Sequence, residues 1–196
     1  MPPAYWAFHD LYYDPYFEYT HVHLGTEKAA EELVDGIFVF IGLHWQHITA
    51  QENVGAYAWA LLKERVAFEL LLQGRNPAAT EPLAFECAIR AATGPILDAF
   101  RDQFRKEFTL SEQELAFSEQ ISDLDDTMRL FAAMARLPER QFDVMVLHYA
   151  LDFSTKTTAL VMGVCEATVR STRRTAKRRL AAELGLAMDE DVDDEE

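Results

Sequence analysis

The chain has 196 residues, enough for one large domain or two small ones. Apolar residues make up 49% of it, which excludes a disordered chain, and a formal net charge of -15 makes most of its surface repel a polyanion. Two cysteines, Cys87 and Cys165, give neither a disulfide framework nor metal-ligand spacing, so a reduced, cytoplasmic protein is expected.

The opening MPPAYWAFHD lacks the charged and apolar blocks of a signal peptide. The longest apolar run, near Ile37 to Leu43, is far short of the roughly 20 residues of a membrane helix. Helical periodicity runs throughout, and no alternating strand pattern stands out.

The spacing predicts a first helix carrying Phe8, Leu11, Tyr12, Tyr16 and Tyr19 on one side, kinked at Asp14-Pro15 and closed by Gly25. Thr26 is a good N-cap for a second helix, with Glu27 well placed against its dipole. Ala30, Leu33, Val34, Ile37, Phe38, Ile41 and Trp45 form that helix's core face. Val39, Phe40 and Leu43 fall outside the arc and are either covered or offered to a partner. A third helix, about Val54 to Gln73, is apolar on nearly every side and is expected to be enclosed. The stretch GRNPAATEP, from Gly74 to Pro82, breaks the pattern and marks a domain boundary.

Residues 76–126 read as an acidic, partly helical linker. Leu97, Phe100, Phe104 and Phe108 suggest one amphipathic helix, and Ser111 with Glu114 has capping-box spacing. In the next unit Leu124, Met128, Phe131 and Ala135 mark a first helix. Pro138 opens a second, with a stripe of Phe142, Met145, Val146 and Tyr149. Ser154 caps a short third helix, Gly163 makes a left-handed turn, and a final helix runs from about Glu166 to Leu184. The expected fold class is all-α. Two small helical domains, residues 1–75 and 127–185, are joined by the linker and followed by a disordered acidic tail over 186–196.

Charge divides along the same lines. Residues 1–75 hold 4 basic and 10 acidic side chains and residues 76–126 hold 4 and 11, whereas residues 127–185 hold 10 and 5; the tail has seven acids and no base. At 100° per residue, Val169, Thr172, Ala176 and Leu180 share one face of the last helix. Arg170, Arg173, Arg174, Lys177 and Arg178 share an adjacent arc of about 140°. With the apolar face docked, the basic face is held outward. A major groove admits one such helix. Glu166, Ala167, Arg170 and Ser171 would lie near base edges, Arg173, Arg174, Lys177 and Arg178 near phosphates, and Thr168 belongs to the same DNA-binding surface. A solvated charged helix is the bland alternative, but such a face usually mixes signs.

Other constellations carry less. His21, His23, His44 and His47 have no Cys or carboxylate set to complete a metal cage. No nucleophile motif surrounds any serine and there is no phosphate-binding glycine loop, so no cofactor and no catalysis are expected. Trp6, Phe8, Tyr12, Tyr13, Tyr16, Phe17 and Tyr19 could stack on unpaired bases, but their acidic neighbours favour core packing. The tail MDEDVDDEE reads as a solubilising end, or as a segment that folds back on the basic helix.

The C-terminal unit resembles region 4 of the bacterial sigma-70 family, especially the extracytoplasmic-function group. The resemblance lies in LPERQ (137–141), a Val-x-x-x-Tyr-type second helix, Ser154, Met162-Gly163-Val164, Ala167-Thr168-Val169-Arg170-Ser171 and Ala176-Lys177-Arg178-Arg179-Leu180. The front half is similar to region 2 of that family. It has the Phe8-x-x-Leu11-Tyr12 opening, Leu24-Gly25, Ala30-Glu31-Glu32-Leu33-Val34 with Phe38, and Tyr57-Ala58-Trp59. It departs from the family in Gly36, Phe40 and Gly42, where polar residues are usual. Arg65 and Arg75 stand where the family has an Arg-rich tract. Lys156 and Thr157 replace an acidic pair, and Thr158 replaces an apolar residue.

The resemblance implies a transcription-initiation protein, not an enzyme. Its final helix would read the upstream promoter element, and its second helix would dock on RNA polymerase core through a surface including Asp35, Val39, Phe40 and Leu43. An anti-sigma protein is a further partner of that family; no membrane is implied. The alternative is a degenerate sigma-like regulator that acts by protein contacts without opening promoters. An unrelated dimeric helix-turn-helix regulator is a third reading, weakened by the match of the front half in order.

Overall fold

A computed structural model describes residues 1–75, 130 and 132–185, and every regular element among them is helical. Helix α1 spans Pro3–Leu24 and runs on through Pro15. Its buried row is Tyr5, Tyr12, Tyr16 and Tyr19, at helical spacing. Leu11 was expected on that row but is exposed. One residue before Tyr12, it lies about 100° off the row. Gly25 ends α1 at φ 80°, its N–H donating to the His21 carbonyl.

Helix α2, Glu27–Leu43, buries Ala30, Val34, Ile37, Phe38 and Ile41, as its periodicity predicts. Thr26 has the extended backbone of an N-cap, but its side chain makes no capping bond. The helix stops at His44, and Trp45 opens a short α3, Trp45–Thr49. Trp45 still reaches the core, edge-on to Tyr5 and Phe8 at 5.6 and 5.7 Å between ring centroids. Helix α4, Val54–Leu72, buries Trp59, Leu62, Val66 and Leu70. It is not enclosed on every side: Phe68, Leu71 and Leu72, in its last turns, are exposed.

In the C-terminal unit residues 132–135 are helical, and Pro138 stands one place before α5, Glu139–Met145. The second helix does not stay α-helical. It widens into a π-helical turn, Val146–Ala150, where the Leu151 N–H donates to the Val146 carbonyl. Helices α6, Thr155–Met162, and α7, Glu166–Leu184, follow. The linker at 76–126, the helix start around Leu124, Met128 and Phe131, and the acidic tail lie outside the described residues.

Buried side chains of the front and C-terminal units form one continuous cluster. The seam between them is polar at its centre. The Tyr19 hydroxyl donates to Asp143 Oδ1 at 2.8 Å, and Lys63 Nζ donates to Asp143 Oδ2 at 2.7 Å. Lys63 also pairs closely with Glu139. Asp143 is only 2% exposed. Burial raises its pKa, and Lys63 and Tyr19 oppose that rise. At the other end Asn53 uses both ends of its amide. Its Oδ1 accepts from Ala56 N at 2.9 Å and caps α4, while its Nδ2 donates to the Gly163 carbonyl at 2.8 Å.

Gly163 is fixed twice over. Its φ of 64° ends α6, and a Cβ there would stand 2.0 Å from Ala56 N and 2.6 Å from the Gly55 carbonyl carbon. The second constraint is separable from the first, because Asn tolerates the left-handed region but carries a Cβ. Gly163→Asn is therefore expected to keep the α6–α7 turn while forcing the two units apart, at a cost of about 2 kcal/mol or more. A lower denaturation midpoint with a larger radius of gyration is the expected result; an unchanged midpoint and radius would contradict the packing described.

His23 gives the seam a pH dependence. Its Nδ1 lies 2.8 Å from the Tyr19 carbonyl, and its ring packs against those of Tyr19 and Phe142. Burial, with Arg75 and Lys63 adding to it, lowers its pKa from 6.5 to about 4. The unfolded chain therefore binds the extra proton between these values, and stability rises with pH through that window. Between pH 5 and pH 7 the contribution is about 2 kcal/mol. Urea midpoints at the two pH values are expected to lie closer together in His23→Gln than in the wild-type chain.

Candidate nucleic-acid interface

Helices α6 and α7 build one surface. Ser154 starts α6, its Oγ accepting from Thr157 N at 3.0 Å. The left-handed Gly163 turns the chain, and Val164 N–H closes the end of α6 on the Ala159 carbonyl. Cys165 then occupies the N-cap of α7. Its thiol lies 3.0 Å from Thr168 Oγ1, and that hydrogen bond lowers its pKa. Thr158, the polar substitute for an apolar residue, is fully buried.

Val169, Ala176 and Leu180 are the buried side of α7, which packs on α5 and α6, and Thr172 is half-buried beside them. The opposite side presents Glu166, Ala167, Arg170, Ser171, Arg174 and Arg178 as exposed residues, with Thr168 half-buried. Arg179 is exposed outside that arc. Glu166 Oε2 pairs with Arg170 at 3.4 Å, one turn on.

Two residues of the expected basic arc sit differently. Lys177 is 5% exposed, so it does not stand outward with the arginines. At 100° per residue it lies about 60° from Leu180 and only about 20° from exposed Arg170, so helical phase alone does not account for its burial. Arg173, on the edge of the arc that adjoins the docked face, is half-buried, and its Nη1 lies 2.8 Å from His148 Nε2. No local signal in the sequence pointed to His148, because the pairing joins the π-helical turn to α7 across 25 residues.

The α2 surface is also as the spacing requires. Val39, Phe40 and Leu43 are 60%, 42% and 72% exposed. Asp35 is exposed beside them and accepts from the Tyr13 hydroxyl at 2.7 Å. Burial first, then Asp35, pushes the Tyr13 pKa up to about 12. The buried tyrosines of α1 are committed to the core, whereas Trp6 is exposed.

The histidines weighed for metal have other neighbours: His44 packs against Phe40, and His47 accepts from Gln51 through its carbonyl. Among the described residues no group of three or more His, Cys, Asp or Glu could hold a metal, and no helix is long and apolar enough to cross a membrane.

No curated protein and no solved structure matches the chain. Residues 127–180, which carry this helix-turn-helix and its arginine face, match the family model described as Sigma-70, region 4, and to that transcription-factor domain the C-terminal unit is similar.

Proposed function

We propose that the protein is a sigma-factor-like transcription initiation protein acting in the cytoplasm. Helix α7 lies in the major groove of promoter DNA, and the α2 surface around Asp35, Val39, Phe40 and Leu43 engages RNA polymerase core. An anti-sigma protein is a further candidate for the same surface. The observation that carries the reading is the outward row Arg170, Arg174 and Arg178 on a helix whose opposite side is docked, within the segment that matches sigma-70 region 4. The chemistry is binding, not catalysis: Glu166, Ala167, Thr168, Arg170 and Ser171 approach bases, and the later arginines neutralise phosphates.

One observation favours the second reading, a sigma-like regulator that does not open promoters. All four basic side chains of residues 1–75 are engaged within the protein. Lys28 pairs with Glu32, Lys63 with Asp143 and Glu139, Arg75 donates to the His23 carbonyl, and Arg65 sits 6.0 Å over the Phe68 ring. Against ten acids, that leaves the front unit poorly equipped to grip melted strands. Runoff transcription with purified core polymerase separates the readings: promoter-dependent product supports initiation, and core binding without product supports the regulator.

Replacing Arg170, Arg174 and Arg178 together by alanine is expected to weaken duplex binding at least tenfold at low salt. It should also flatten the slope of log K against log salt by about 2, at roughly 0.9 for each of the phosphate contacts of Arg174 and Arg178. Binding titrations across a salt series check this. Equal affinity and equal slope in variant and parent would remove α7 from the DNA surface.

A further inference from the structure

We propose that His148 is a positioning residue for DNA binding: it sets the direction of the Arg173 guanidinium. The inference rests on the reading of α7 as the DNA-contacting helix and adds a residue outside the helix-turn-helix.

The geometry fixes the chemistry of the ring. His148 lies in the π-helical turn, after which Asp152 takes a left-handed backbone, φ 53°, and reverses the chain. That reversal brings the Phe153 carbonyl to 2.8 Å from His148 Nδ1. A carbonyl only accepts, so Nδ1 carries the proton and donates. A guanidinium only donates, so Nε2, at 2.8 Å from Arg173 Nη1, presents its lone pair. Both ring nitrogens are thus assigned by their partners, and the ring is a neutral imidazole of one tautomer.

The consequence lies in the arginine. A long arginine side chain on a helix surface samples many rotamers, and ordering it on DNA costs conformational entropy. One hydrogen bond to a half-buried ring restricts that sampling before DNA arrives. The guanidinium keeps its other N–H donors for a phosphate, because only Nη1 is directed at the ring. Arg173 stands on the edge of the arc nearest the docked face, where an unheld side chain could fold back along the protein. The widened turn aims His148 at it; an α-helical continuation would carry the following residues around at a different angle.

The test is a double-mutant cycle on the full chain, with a short mixed-sequence DNA duplex as the probe. His148→Phe keeps the ring volume but loses both hydrogen bonds, and it is expected to weaken binding roughly three- to tenfold. The same change in an Arg173→Ala background is expected to have no further effect. His148→Gln carries a donor and an acceptor in one amide and is expected to recover most of the affinity. In the wild-type chain the nitrogen-15 spectrum of His148 is expected to show the Nδ1–H tautomer.

A penalty of the same size with and without Arg173 overturns the inference, as does a proton on Nε2 or a His148→Gln variant as weak as His148→Phe. A wild-type chain that fails to bind the duplex at low salt overturns the DNA reading and this role together, which distinguishes that failure from the others.

Discussion

The Asp143 carboxylate sits almost wholly out of water, and two of its hydrogen bonds come from the front unit. A buried charge is costly unless its lone pairs are met, and removing one partner from such a group destabilises by roughly 3–5 kcal/mol. Tyr19 and Lys63 come from two different helices, α1 and α4, so the carboxylate ties both to α5 at one point. Around it the contact is apolar and close-packed, and at its far end the turn glycine meets the α4 backbone with no room for a side chain. Polar centre and tight glycine contact together make the seam specific: a slip of one helical turn would strand the charge and clash the backbones.

That seam determines how the candidate DNA surface is presented. It grips α5, α6 and the turn, and leaves the start of α7 open. An acidic unit is therefore held next to a basic helix without covering it. The duplex would approach a positive strip bordered by negative surface, which narrows the directions from which it can be attracted. Among the described residues the α2 surface is also exposed, so the seam, the candidate nucleic-acid face and the candidate polymerase face are three separate regions.

Much of this was legible in the sequence because it is local. The buried stripe of α2, the Ser154 cap, the Gly163 turn and the extent of α7 all follow from short-range spacing and backbone chemistry. The failures share a different origin. The expectations for Leu11 and the end of α4 rest on apolarity, and apolarity does not say which side another element covers. Helical phase puts Lys177 among the outward arginines, and its burial comes from tertiary packing that phase does not register. The π-helical turn has no compositional mark, so nothing in the sequence singles out His148. The seam itself was invisible, because a tyrosine, a lysine and an aspartate scattered over the chain look like ordinary surface or core residues until tertiary packing brings them together.

The Tyr19–Asp143 hydrogen bond spans 124 positions in the chain. During synthesis α1 and α4 are complete well before Asp143 and Gly163 leave the ribosome, an interval on the order of ten seconds at ordinary elongation rates. Through that time Tyr19 and Lys63 lack their partner Asp143, and the apolar side chains that share a cluster with the C-terminal unit lack that unit's cover. The front half thus spends its first moments as an adhesive fragment. A chaperone with affinity for apolar grooves has its best opportunity then, and a ribosome that stalls between the two halves would release an aggregation-prone product.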